Sequence, residues 1–495
     1  MSVQVPKSWV CSSVAEIFGI VGGGTPSTLK KEYWNGKIPW ISSADIKGER
    51  EIEYRRFITK SAIENSTTAK VPAGSIIVVT RVGLGKVAIA KDDLCFSQDS
   101  QGLLIDNRII YSAYAVYFLS QATQVFKRQS RGTTIAGVTK KQLEDLPFFL
   151  PPLNEQKRIV AKIEELFSNL DEGVKALEKA KELLKQYRQS VLKAAVTGEL
   201  TKKWREENKD KLEPASKLLE RILKERTPKD KVLEQDAESD LCHEIPSLWK
   251  WGKINDVGKV IGGLTKNSKR EKFKKKLPYL RVANVYANRL VLDEVRSIGV
   301  LENELERLLL NKDDLLIVEG NGSLDQVGRV ALWSGVIKPC VHQNHLIKVR
   351  FYEKRMAGFV LYWLLSIYGR RFIVRCASST SGLHTLSTGK VGNLVIPIPP
   401  LEEQMQIVTE IERRLSELNR LEQVFDEELK RSASLRQSIL KKAFEGKLVP
   451  QEPNDEPASE LLKRIKAERE KRPGLKVERT PHSAKPPKQA RIKAL

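Results

Sequence analysis

The chain is written twice. Pro151-Pro152-Leu153-Asn154-Glu155-Gln156 returns as Pro399-Pro400-Leu401-Glu402-Glu403-Gln404. Gln189-Ser190-Val191-Leu192 returns as Gln437-Ser438-Ile439-Leu440, and Gly198-Glu199-Leu200 as Gly446-Lys447-Leu448. All three pairs are 248 residues apart. Glu213-Pro214-Ala215-Ser216 returns as Glu456-Pro457-Ala458-Ser459, 243 residues on. A period this long excludes a solenoid and points to a duplicated pair of domains.

Proline blocks a helix from continuing through it, so each Pro-Pro marks a helix start, and Asn154 or Glu402-Glu403 suits a first turn. The segments that follow are heptads over about five turns of the repeat. One apolar seam is Ile163, Leu170, Leu177, Leu184 and Val191, and its counterpart is Ile411, Leu418, Phe425, Ser432 and Ile439. A second expected row is Ile159, Leu166, Gly173, Ala180, Tyr187 and Ala194, with Glu164, Glu165, Lys175, Glu178, Lys179 and Lys181 on the outer face. Matched seams favour the two helices packing on each other as a coiled coil, although the pattern leaves parallel and antiparallel pairing open.

Before each helix lie short β-rich runs, such as Ser75–Val79 and Leu315–Val318, between Gly-, Asn- and Asp-rich turns. These are read as two compact α/β (α+β) domains. They are related but diverged: Pro6-Lys7-Ser8-Trp9 echoes Pro246-Ser247-Leu248-Trp249, Ile38-Pro39-Trp40-Ile41 echoes Leu277-Pro278-Tyr279-Leu280, and Gly85-Lys86-Val87 echoes Gly328-Arg329-Val330. The expected layout is a first domain over 1–150, a helix over 151–200, a helix and polar linker over 201–245, a second domain over 246–398, a helix over 399–448, a C-terminal helix over 449–472 and a disordered basic tail over 473–495. Helices that match better than the domains they join do one job twice, while the domains do two different jobs.

Charge narrows the partner. Lys plus Arg number 85 against 62 Asp plus Glu, a net +23 that calls for a polyanion. Nucleic acid is the commonest such partner and a membrane surface the rival. The longest apolar stretch, near Phe359–Ile367, is far too short for a span. The start, Met1-Ser2-Val3-Gln4, lacks the layout of a signal peptide, and five cysteines without a Cys-x-x-Cys suggest reduced thiols in a cytoplasm.

No catalytic apparatus is visible. The Pro-Pro steps lack the flanking residues of an adenine methyltransferase clamp. Thr80-Arg81-Val82-Gly83-Leu84-Gly85-Lys86-Val87 lacks the first glycine and the hydroxyl of a P-loop. Cys340, His342 and His345 have metal-ligand spacing on paper, but no fourth ligand is near in sequence, and ordinary strand and loop residues are the favoured reading. DNA reading instead needs forked or amide side chains on loops. The first domain offers Ser42, Asp45, Arg81, Lys86, Gln98, Asp99 and Gln101. The second offers Arg281, Asn284, Asn321, Ser323, Gln326, Arg329, Gln343, Asn344 and His345. Gly83 and Gly85, like Gly320 and Gly322, would let backbone approach DNA closely. Lys269, Arg270 and Lys274, in the basic run 266–276, are expected on phosphates.

Two Pro-Pro-Leu-x-Glu-Gln helix starts, the Gln-Ser-Val/Ile-Leu…Gly-x-Leu helix ends, Gly23-Gly24-Thr25-Pro26-Ser27 and Ile396-Pro397-Ile398-Pro399-Pro400 together resemble the specificity subunits of type I restriction-modification enzymes, over essentially the whole chain. The resemblance implies two target-recognition domains, an antiparallel helix pair and a bipartite, asymmetric target in double-stranded DNA. It implies two methyltransferase and two restriction/translocase subunits as partners. No cofactor is expected on this chain; S-adenosylmethionine, ATP and Mg2+ would sit on those partners. The rival readings are a recognition component of another multi-subunit restriction system with the same layout, a self-sufficient nuclease-methyltransferase, and a coiled-coil scaffold that does not touch DNA.

Overall fold

A computed structural model describes residues 5–107, 109–129, 137–224, 243–380 and 382–471. The linker residues 225–242 and the tail 473–495 lie outside the described residues. The principal strands of the first domain are β1 (Val10–Ser13), β2 (Gly19–Gly22), β3 (Ile38–Ile41), β4 (Ile76–Val79), β5 (Val87–Ile89), β6 (Leu94–Phe96), β7 (Ser100–Leu104) and β8 (Pro147–Leu150), with helix α1 (Ser112–Gln129). Helix α2 (Leu153–Val196) follows, then α3 (Ala215–Lys224). The second domain holds β9 (Lys250–Lys253), β10 (Gly258–Gly262), β11 (Lys276–Leu280), β12 (Leu315–Val318), β13 (Val330–Leu332), β14 (Val341–His342), β15 (Leu346–Phe351), α4 (Ala357–Leu365), α5 (Ile367–Cys376) and β16 (Val395–Ile398). Helices α6 (Leu401–Phe444) and α7 (Ala458–Lys471) end the described chain.

The two domains share one topology. Each has a four-stranded antiparallel sheet, ordered β2-β7-β4-β5 in the first and β10-β15-β12-β13 in the second. A second sheet contains the parallel pair β3·β6 or β11·β14. A third pairs the first and last strands of the domain, β1·β8 and β9·β16. Runs of four buried aliphatics, Ile76–Val79 and Leu315–Val318, form the central strands because both faces of the sheet are covered.

The chain divides into two compact units, Met1–Ala176 with Glu428–Leu495, and Leu177–Glu427. Each unit is therefore one domain, the near part of its own long helix and the far part of the other. In unit 1, Ile439, Leu440, Ala443 and Phe444 of α6 and Leu461 of α7 join the core built by Trp9, Val14, Tyr114, Phe148 and Ile159. In unit 2, Leu192 and Ala195 of α2 join Trp249, Phe359, Ile407 and Ile411.

The repeated motifs make these joints. In unit 1, Glu155 accepts hydrogen bonds from Trp9 Nε1 at 3.0 Å and Gln451 Nε2 at 2.5 Å. In unit 2, the equivalent Glu403 accepts from Trp249 Nε1 at 2.8 Å, Thr201 Oγ1 at 2.7 Å and Arg205 at 2.6 Å. Gly446 and Gly198 both sit at positive φ, 69° and 78°. A Cβ at Gly446 would lie 2.3 Å from Pro6 Cγ, and one at Gly198 2.5 Å from Pro246 Cγ. Only glycine ends the helix in this conformation and admits the proline.

The helices pair antiparallel, since within unit 2 Lys181 meets Asp426 at 2.5 Å while Arg188, further along α2, meets Asn419 at 2.8 Å. The first expected seam faces inward on both helices: Ile163, Val191, Ile411, Leu418 and Ile439 are buried, and Leu170, Leu177, Leu184, Phe425 and Ser432 are half-buried. The second expected row holds in part: Ile159 is buried and Leu166, Ala180 and Ala194 are half-buried, but Gly173 and Tyr187 are exposed, and a further half-buried row beside the first seam is Phe167, Val174, Lys181 and Arg188. Lys181 thus belongs to the seam rather than the outer face. A two-helix rod buries a strip only two residues wide, and cations enter it here because Asp426, Asn419 and Glu422 meet them.

Among the described residues no single helix is long and apolar enough to cross a membrane. The apolar stretch Phe359–Leu364 is buried within unit 2.

Candidate nucleic-acid interface

Antiparallel pairing brings distant loops to one end of each main sheet. In the first domain β2 and β4 finish where β7 and β5 begin, since Gln101 faces Gly22, Ser100 faces Val79 and Val78 faces Val87. The loops 23–27, 80–86 and 97–99 therefore converge. They are tied by the Asp99 carbonyl, which accepts from Thr80 N at 2.8 Å and Arg81 N at 3.2 Å, and by the Thr25 hydroxyl, which donates to Gln98. Arg81 and Gln98 are exposed at this end and Asp99 is half-buried. Gln101 is half-buried in β7, its Oε1 buried without a hydrogen-bond partner among the described residues. Gly83 and Gly85 have φ of 86° and 94°, so they are needed first for the turn itself.

The second domain builds the same end from 263–265, 319–326 and 343–345. Glu319 N donates to His345 O at 3.0 Å, and Asn344 N to Leu264 O at 2.9 Å. His345 Nδ1 lies 2.7 Å from Glu319 Oε2, and the side chain is exposed. Asn321 pairs across to His384, its Oδ1 accepting from Ser323 N at 3.0 Å; Ser323 and Gln326 are exposed. The basic run leaves this end as a 3-10 turn, Ser268–Lys272, with Lys269 and Lys274 exposed.

Several expected readers are framework residues instead. Asp45 is 1% exposed; it closes a capping box with Ser42 and accepts from Arg55 Nε at 2.5 Å and Arg56 at 3.0 Å. Burial pushes its carboxyl up, but the Ser42 and arginine bonds outweigh burial and hold it below the usual range. Asn284, buried at the equivalent turn, spends its amide on Val291 O and Glu294 O, and Arg281 pairs with Glu294. Arg270 is tucked under the basic run, bonded to Thr265 O, Gly299 O and both oxygens of Glu304, so it is not a phosphate contact. Lys86 donates to Ser43 O and Ile46 O, and its equivalent Arg329 to Val282 O: both pin a turn to the sheet. Arg81 and Arg329 are thus not counterparts, although Gly-rich turns flank both.

Cys340, His342 and His345 do not converge on one point. His342 is buried, its Nδ1 3.2 Å from Leu308 O, while His345 is exposed on Glu319. His342 and Lys348 occupy the places of Phe96 and Gly102 in the first domain, where the Phe96 ring packs at Gly102. Lys348 donates to Arg307 O at 2.7 Å and Leu309 O at 2.9 Å. Burial, then the neighbouring Lys348, push His342 down to about 4, and burial pushes Lys348 down to about 8. Among the described residues no group of three or more His, Cys, Asp or Glu is placed to hold a metal. Thr25, Glu319 and His384 reach the loop end without having been expected there; the Gly23-Gly24-Thr25-Pro26-Ser27 motif was the available signal for Thr25, and strand pairing alone locates the other two.

Comparison with known proteins meets this geometry. The model of the type I restriction modification DNA specificity domain matches residues 6–181 and again 246–431. The specificity subunit of the type I restriction enzyme EcoKI of Escherichia coli K12 is 27% identical over 96% of this chain and 98% of its own length. That of StySPI from Salmonella potsdam is 26% identical over the same shares. Among solved structures, a chain from a study of complex assembly and conformational transition of the type I R-M system superposes with a TM-score of 0.64 at 18% identity, over 90% of this chain and all of that one. The HsdS subunit of Thermoanaerobacter tengcongensis superposes with a TM-score of 0.55 at 19% identity, over 90% and 98%. Two matched domains, each ending in its long helix and together covering most of the chain, make this protein a member of the type I restriction-modification specificity subunit family.

Proposed function

We propose that each domain reads one half of a bipartite, asymmetric duplex target through the loop end of its main sheet. The observation that carries this is the convergence, in both domains, of three loops rich in hydrogen-bonding side chains: Arg81, Gln98 and Asp99 in one, Asn321, Ser323, Gln343, Asn344 and His345 in the other. Arginine suits guanine, amides suit adenine and carboxylates suit cytosine in the major groove. Exposed Lys266, Lys269, Lys272 and Lys274 supply sequence-independent attraction to phosphates. Two different loop sets on one topology imply two different half-sites.

The chain is the non-catalytic, recognising member of its complex in this reading. Two methyltransferase subunits would bring S-adenosylmethionine, and two restriction/translocase subunits ATP and Mg2+, beside cytoplasmic DNA. The helix pair would serve as the common platform, because its motifs repeat faithfully while the domains diverge. The test is domain exchange. A chimera whose residues 1–150 come from a relative of different specificity is expected to methylate a target changed in one half only. A change in both halves, or turnover by the isolated chain, would overturn the reading.

A further inference from the structure

The duplication lets one unit serve as the control for the other. Arg436-Gln437-Ser438 on α6 repeats Arg188-Gln189-Ser190 on α2. In unit 1 Arg436 ion-pairs with Asp171 and stacks on the Phe167 ring, 4.6 Å from its centroid. It also faces Glu49, in the turn after Ile46–Gly48; burial raises the Glu49 carboxyl and Arg436 and Arg50 draw it back. Arg436 thus has two built-in carboxylates and an aromatic shelf.

Each of these neighbours has changed in unit 2. The helix repeat puts Asn419 where Asp171 stands and Leu415 where Phe167 stands, and the strand repeat puts Asn288 where Glu49 stands. Arg188 now bonds the Asn419 amide at 2.8 Å, and Glu422 lies 3.5 Å away. The space holds a cavity of ≈ 330 Å³ lined by Arg188, Arg329, Arg370, Asn288, Tyr362 and Leu415, with Asp325 as its lining carboxylate. Arg370 donates to the carbonyls of Val327 and Leu324; burial holds its guanidinium below its usual range, and Asp325 only partly restores it. Arg329 stacks on Tyr286, and its Nε is buried with no hydrogen-bond partner among the described residues. Three guanidiniums therefore share one recess with two carboxylates, Asp325 on its lining and Glu422 paired to Arg188. Water would satisfy their N–H groups but not their charge.

We propose that this cavity binds a phosphate-type oxyanion, supplying to unit 2 the negative charge that Glu49 and Asp171 build into unit 1. Bound there, the anion joins Arg188 on α2 to Arg329 and Arg370 of the second recognition domain. It stiffens the joint that presents that domain's loops. Free phosphate and the phosphodiester of bound duplex offer the same chemistry.

The test uses the full-length chain and inorganic phosphate against chloride at constant ionic strength, read by titration calorimetry and by thermal melting. One saturable site that raises the melting temperature is expected. Arg188→Gln is expected to weaken it roughly tenfold or more, by loss of a charged hydrogen bond. Asn419→Asp, which restores the carboxylate of unit 1, is expected to weaken phosphate binding while leaving the melting temperature without phosphate unchanged or higher. No phosphate binding by the wild type, or binding untouched by both substitutions, overturns the proposal. Duplex added to the phosphate-loaded chain separates the sources: release of phosphate assigns the site to a DNA backbone, and retention to the free anion. The phosphate titration needs no DNA, so its failure is distinct from failure of the recognition reading.

Discussion

Glu403 and Glu155 hold the same place in the repeated motif, yet their partners differ in charge. Glu403 is fully buried against the Arg205 guanidinium, Thr201 and Trp249. Glu155 meets neutral donors, Trp9 and Gln451. Removing one side of a buried ion pair strands the other, at about 3–5 kcal/mol. Stranding neutral donors costs about 1–3 kcal/mol. Glu403→Ala is therefore expected to lower stability more than Glu155→Ala, measured by denaturant unfolding of the two variants. Equal losses would show that Arg205 contributes nothing beyond a neutral donor. The motif was visible as a repeat; its role as the clasp between domain and helix was not, because Gln451 and Arg205 come from segments with no matching residue type.

At the scale of the element, the long helices show how far periodicity reaches. The heptad located both helices and one complete seam. It placed Gly173 and Tyr187 inward and missed the row of Lys181 and Arg188 because it weighs apolar residues, whereas those two cations enter the seam by pairing across it. Gly173 is the clearest consequence. It lies exposed within α2, and a Cβ there would meet nothing within 4 Å. Gly173→Ala is expected to stabilise the protein by about 0.5–1 kcal/mol, since glycine loses the most backbone entropy in a helix. Its unfolding midpoint would rise, with DNA recognition unchanged. A lower midpoint would place a neighbour against that face in solution.

For the whole molecule, the helix pair is expected to act as a ruler. Seven residues added to both α2 and α6 keep the apolar seam aligned. They lengthen the rod by about 10.5 Å at 1.5 Å per residue. Along B-DNA this is about 3 base pairs, with a rotation of about 100° about its axis. A methylation map of the lengthened variant should show the same half-sites with a longer gap. An active variant with an unchanged gap would refute the ruler.

The duplication, the two long helices, the seam Ile163–Val191 with its counterpart Ile411–Ile439, and the family are legible in the residues alone. Those properties are written in neighbouring residues, as a repeat or a heptad, and need no knowledge of what lies across the fold. The fold had to show that Gly446 closes on Pro6 and Gly198 on Pro246, which cross-helix pairs set the antiparallel register, and which polar residues remain at the loop end. Asp45 and Asn284 look like DNA readers in the chain and Arg270 like a phosphate contact, and all three are framework in the fold. A polar side chain is free or consumed according to its partners, and Arg55, Val291 and Glu304 are brought to them by turns and strand pairing rather than by adjacency.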